Sequence, residues 1–190
     1  MTVSFGLRLV RQPPFQNNMT IETHRKKIIL RRLCLALMLL LLSVLQNTDG
    51  FFPQIFGVRA LLLIPCVVCA AMYERDICGM LLGLFAGALW DVFASGANFN
   101  ALYLTAVGFI CGTLINTIMR NNIFTSAILS ALFSAIYVLG YWLFNFIIPG
   151  LDSAGYMLCR NYLPSFLYTA ALSPVFFLIV RAIEKKFSEE

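Results

Sequence analysis

Between Ile77 and Met119 the chain carries a single charge, Asp91, in 43 residues. A water-soluble helix or strand of that length needs a polar face, and this stretch has none to offer. It is long enough for two helices that each cross a bilayer, at about 20 residues per crossing. Composition extends the point to the whole chain. Of 190 residues, 60% are hydrophobic and 12% charged, with a mean hydropathy of +0.83. Globular proteins average about 45–50% apolar and about 25% charged. Most of the surface must therefore face an apolar medium. That excludes a soluble enzyme, a disordered tail and a β-barrel with a period of two, and leaves an all-α, polytopic membrane protein. The length admits about six spans with short loops and no sizeable soluble domain.

Charged and turn-forming residues place the breaks. Spans are expected at about 30–47, 59–73, 77–93, 99–119, 123–148 and 162–181, with Glu74-Arg75-Asp76, Ser95-Gly96-Ala97-Asn98, Arg120-Asn121-Asn122 and Pro149-Gly150 as turns. The second span is marginal, since only fourteen uncharged residues separate Arg59 from Glu74. Pro65, Pro164 and Pro174 are expected to start or kink helices. Residues 1–27 read as a basic, disordered cytoplasmic extension, 28–186 as one integral membrane domain and 187–190 as a tail.

The distribution of cations decides between five and six spans. With six spans and an inner N-terminus, twelve of the fourteen Lys and Arg lie inside, and only Arg59 and Arg160 lie outside. Dropping the short second span changes the split to eight against six. Six spans fit better and put both termini in the cytoplasm. The basic residues Arg8, Arg11, Arg25, Lys26, Lys27, Arg31 and Arg32 are then an anchor for the first span, compatible with attraction to anionic lipid, rather than a nucleic-acid site. No small-residue cleavage site follows the first apolar run, so it reads as an uncleaved span.

Little in the chain suggests chemistry. Cys66-x-x-Cys69 lacks a second half, and His24, the sole histidine, lies in the basic tail. The six cysteines read as small packing residues, with no metal, cofactor or disulfide framework expected. Ser126, Ser130 and Ser134 have no neighbouring base and read as hydrogen-bonding groups between helices.

The informative motif is in the third span. Gly79, Gly83 and Gly87 recur every four residues, which puts them on one helix face, and Gly108 and Gly112 repeat the spacing in the fourth. Such faces allow close helix approach, within the chain or toward a separate membrane partner. Asp91 continues the glycine face. An intramembrane carboxylate is a functional candidate by default. It would lie at the negative end of its own helix, so a compensating partner is expected, from Arg59, Asn98, Asn100 or Arg160.

These features together resemble the MreD family of rod shape-determining membrane proteins. The likeness spans roughly 28–186 and is strongest from Phe56 to Arg120. It rests on the basic N-terminus, the Phe56-Gly57-Val58 segment, the short second span, the Gly79-x3-Gly83-x3-Gly87-x3-Asp91 helix and the small-residue turn after it. Family members often carry Pro-Asp just after an Arg at the start of span two. Here Ala60 and Leu61 follow Arg59, so no role transfers to those positions. The resemblance implies a non-enzymatic scaffold in the bacterial cytoplasmic membrane. Its partners would be an MreC-like protein, the actin-like MreB filament, a RodA-like protein and a class B penicillin-binding transpeptidase, or a second copy of the chain. It also implies a fold similar to the substrate-binding subunits of energy-coupling-factor transporters. The alternative is such a transport subunit, binding a small molecule near Trp90, Asp91, Asn98, Asn100 and Trp142.

Overall fold

The computed structural model describes residues 14–48, 60–74, 76–93, 99–117, 121–150 and 154–188, with side chains from residue 25 to 187 in those ranges apart from Ala154. The helices are α1 (Pro14–Asn47), α2 (Leu63–Tyr73), α3 (Asp76–Phe93), α4 (Asn100–Thr117), α5 (Ile123–Trp142), α6 (Ala154–Met157) and α7 (Leu163–Ser188). Wider π-helical turns, Leu143–Ile147 and Leu158–Tyr162, extend α5 and lead into α7. No strand occurs among the described residues. Five segments are long and apolar enough to cross a membrane: Arg25–Asn47, Asp76–Phe93, Asn100–Thr117, Ile123–Ile147 and Gly155–Phe187. The bundle is therefore compatible with a multi-pass membrane protein.

Around a core that is largely apolar, α5 and α7 turn small hydroxyl residues inward and large apolar residues outward. On α5, Phe124, Ile128, Leu132 and Ile136 are exposed, while Ser126, Ser130 and Ser134 are fully buried. On α7, Ser165, Thr169 and Ser173 repeat the four-residue spacing on the buried side. Small hydroxyl residues let helices approach closely where burial of apolar surface gives no driving force. Pro65 stands in the first turn of α2, where a missing N–H costs least, whereas Pro164 directly follows the π-helical turn Leu158–Tyr162 and Pro174 lies inside α7. Gly150 takes a left-handed conformation (φ 71°) as the chain leaves the first π-helical turn.

Two expectations change. First, α1 begins at Pro14, ahead of the start near residue 30 expected for the first span. Second, the marginal second span is a helix of 11 residues, about 16 Å long against a hydrocarbon core of about 30 Å. It does not need to match that thickness, because every residue from Leu63 to Met72 is buried. Its surroundings are other helices, which also supply its missing hydrogen bonds. The Leu63 N–H donates to Gln46 Oε1 on α1 at 3.1 Å, and the Leu61 N–H donates to Thr169 Oγ1 on α7 at 2.9 Å. Irregular backbone at membrane depth is tolerated where protein surrounds it.

These contacts also fix direction. The start of α2 lies beside Gln46, at the end of α1, and Glu74, just past the end of α2, binds Arg31 and Arg32, near the middle of α1. The chain thus returns antiparallel to α1 through α2. Arg31 also meets Glu184 of α7, so the basic part of α1 and the end of α7 share one end of the bundle.

Candidate functional site: a glycine seam between two polar ends

Helices α3 and α4 pack with almost no separation along the glycine face. A methyl group on Gly79 would lie 2.9 Å from the Gly108 carbonyl oxygen, and one on Gly112 would lie 2.9 Å from Asp76 Cα. At Gly83 it would overlap the Leu104 carbonyl, and at Gly87 it would lie 2.6 Å from the Asn100 carbonyl oxygen. Gly108 meets the Gly79 backbone in the same way. In each case the obstacle is backbone, which cannot move aside as a side chain can. The structure therefore brings all five glycines into one intrachain seam, and the face is filled from within the chain. A separate partner or a second copy would have to dock elsewhere.

Asp91 closes the seam at its far end. Its Oδ1 accepts the Asn100 N–H at 3.2 Å, and its Oδ2 accepts the Ala101 N–H at 2.9 Å. A carboxylate of α3 thus serves as the N-cap of α4 from outside that helix. The first N–H groups of a helix have no internal partners, and its N-terminal end carries partial positive charge. Asp91 is indeed at the unfavourable end of its own helix, but the favourable end of the next one compensates it. Of the partners expected for it, Asn100 is the one the structure supplies, through its backbone. Arg59 and Asn98 lie outside the described residues. Arg160 is bonded to the Tyr156 hydroxyl, with its guanidinium over that ring. Asp91→Ala is expected to lower stability by about 1–2 kcal/mol through loss of this cap, with Asp91→Asn intermediate, as read by thermal unfolding in detergent.

The side chain of Asn100 is also committed. It is buried, and its Oδ1 accepts the Tyr137 hydroxyl at 2.7 Å. Tyr137 lies against Trp90 and Tyr103, with ring centroids 5.2 Å away in both cases. Tyr103 donates its hydroxyl to the Phe133 carbonyl. A row of rings continues through Tyr141 and Tyr162 to Phe146, within the π-helical turns. Asp91, Trp90 and Asn100 of the ligand-binding alternative are therefore near one another, but both polar groups hold helices together.

At the opposite end, charges join elements far apart in sequence. Glu74, buried between helices, accepts Arg31 Nε at 3.0 Å and Nη2 at 2.5 Å on one oxygen, and Arg32 Nε at 3.1 Å on the other. Arg31 Nη1 reaches Glu184 Oε2 at 3.0 Å. One arginine thus ties α1, the α2–α3 turn and α7. Asp76, at the start of α3, accepts Asn116 Nδ2 of α4 at 2.6 Å. Sequence reasoning treated Arg31 and Glu74 as an anchor and a turn, because nothing local links residues 43 positions apart.

Among the described residues, no group of three His, Cys, Asp or Glu could hold a metal ion. Cys66, Cys69 and Cys111 are buried free thiols, and Cys69 shares a hydrogen bond with Ser126 at 3.1 Å. Comparison with protein-family models, curated proteins and solved structures returns no match for the chain.

Proposed function

We propose that this protein is a non-enzymatic scaffold subunit of the bacterial cell-elongation complex, similar to MreD, embedded in the cytoplasmic membrane with both termini inside. The observation that carries the reading is the continuous seam Gly79–Gly83–Gly87–Asp91 against α4, the segment on which the resemblance is strongest. Cation placement supports the orientation. Among the described residues, eight of nine Lys and Arg belong to the end where Arg31 meets Glu74 and Glu184, and Arg160 alone belongs to the other. The polar side chains of the seam and its ends hold helix to helix. That leaves the apolar outer faces as contact surfaces for an MreC-like protein, a RodA-like protein and a transpeptidase.

Depletion in a rod-shaped host tests the reading. Cells are expected to round up, and the wild-type chain to restore rods. Rods that persist after depletion would overturn it.

The row of rings from Trp90 to Phe146 favours one second reading, a small-molecule-binding subunit of an energy-coupling-factor-type transporter. On that reading, a vitamin-like ligand should raise the unfolding temperature and the aromatic variant Tyr137→Leu should abolish the rise. No rise with any vitamin tested counts for the scaffold.

A further inference from the structure

Helices α2, α5 and α7 pack against one another inside the bundle. Both α2 and α7 end near Arg31, whereas α5 starts there, since Asn121 just ahead of it donates to the Met72 carbonyl. Two hydrogen bonds then fix the register. Cys69 of α2 shares one with the Ser126 hydroxyl at 3.1 Å, and the Leu61 N–H ahead of α2 donates to Thr169 Oγ1 at 2.9 Å. Ser130 and Ser134 continue the Ser126 face, and Ser173 continues the Thr169 face, so both hydroxyl stripes look toward α2. One turn along α5 from Ser126 brings Ser130 level with Pro65, and a second turn brings Ser134 level with Leu61 and therefore with Thr169. Ser173, one turn past Thr169, stands level with Ser130. The Tyr141–Tyr162 ring contact, at 6.1 Å, gives the same register, because Ser134 precedes Tyr141 by as many residues as Thr169 follows Tyr162.

Ser130, Ser134 and Ser173 are each 0% exposed, and none of their hydroxyls has a hydrogen-bond partner within the protein. Buried polar groups are nearly always paired. The same two turns hold Pro65 and Pro174. A proline gives no N–H to the carbonyl one turn before it, so the carbonyls of Leu61 and Ala170 lose their helical donors. The layer carries no charge: α2 and α5 have no charged residue, and α7 has none before Arg181.

We propose that this layer binds ordered water, which bridges the hydroxyls of Ser130 and Ser173 and continues to Ser134 and the carbonyls of Leu61 and Ala170. Water fits the chemistry. It both donates and accepts, so it satisfies hydroxyls and carbonyls alike. It is small enough for a site between close-packed helices, and it brings no charge into an interior that offers no counter-charge. A buried water typically makes about three hydrogen bonds to groups that otherwise lack partners. The inference is independent of the scaffold role.

The test compares thermal midpoints of the full chain in detergent for Ser130→Ala, Ser173→Ala and the double variant. Each single substitution takes a partner from the water and is expected to lower the midpoint by about 2–4 °C. Alanine favours helix over serine, so a fall cannot come from propensity. The double variant is expected to lose less than the sum, because a shared water is lost only once. A dry layer gives the opposite sign: alanine then removes an unpaired hydroxyl, and the midpoints rise additively. Hydroxyls bonded back to their own helices would leave the midpoints unchanged. Either result overturns the proposal, as does a wild-type midpoint that rises only with sodium or potassium, which would point to a metal cation instead. Radiolytic footprinting gives a direct readout, since bound water yields hydroxyl radicals where bulk water does not reach. Pro65 and Cys66, both buried, are expected to be oxidised in the wild type and several-fold less in the double variant. No oxidation of either in the wild type would also overturn it.

Discussion

Replacing Gly83 with leucine is expected to leave no folded protein, and alanine alone to cost about 3 kcal/mol or more. The first added carbon would overlap the Leu104 carbonyl and lie 2.9 Å from its carbon. Overpacking in a well-packed core costs about 1–3 kcal/mol where side chains can yield. Here the neighbour is the backbone of α4, so relief requires the two helices to part along the whole seam, which also pulls the N-terminus of α4 away from Asp91. Gly87→Ala should behave alike, since its added carbon would lie 2.6 Å from the Asn100 carbonyl oxygen. Gly140→Ala is the matched control. Nothing lies within 4 Å of its added carbon, and a helix gains about 0.5–1 kcal/mol from such a change. Monodispersity after detergent extraction and the thermal midpoint of each variant read the difference. A Gly83→Ala protein as stable as Gly140→Ala would mean that the helices are not in this contact.

The second large effect is expected at Glu74. Its side chain is 1% exposed, and both oxygens are bonded to arginines. Removing one partner of a buried ion pair costs about 3–5 kcal/mol, chiefly because the other charge is left uncompensated. The arginines here keep 22% and 43% exposure, so water solvates them in part, and Glu74→Gln should cost about 2–3 kcal/mol. Restoring balance should recover most of that loss. Arg32→Met combined with Glu74→Leu is expected to be more stable than Glu74→Leu alone, because the Arg31–Glu184 pair is kept, and a double-mutant cycle from unfolding midpoints gives the coupling. A coupling near zero would show that the network contributes nothing.

The helix positions were largely legible because charges and turn residues interrupt apolar runs at bilayer spacing. The stretch expected at 77–93 is α3 (Asp76–Phe93), and that at 99–119 is α4 (Asn100–Thr117). The glycine spacing likewise placed five residues on facing helices before any contact was known. What could not be read was pairing between distant positions. Glu74 finds Arg31 and Arg32 across more than 40 residues, and Gln46 and Thr169 meet the start of α2 from helices at opposite ends of the chain. The serine spacing on α5 was visible, and the same spacing at Ser165, Thr169 and Ser173 could have marked Thr169 as inward-facing. The partners of Asp91 are backbone N–H groups of the next helix, which no side-chain pattern marks. Its position nine residues before Asn100, across a short turn, was the available signal.

On the scaffold reading proposed above, this chain works through the outer faces of its helices, the glycine seam being filled from within. Photo-crosslinking in bacterial membranes tests it most directly, with one probe on each exposed face: Leu37, Leu84, Phe109, Leu132 and Leu178. At least one of these positions is expected to capture an MreC-like protein, identified by mass spectrometry, while probes at the buried positions Leu104 and Ala86 capture no other protein. An MreC-like protein captured from the seam, or from none of the outer faces, would contradict it.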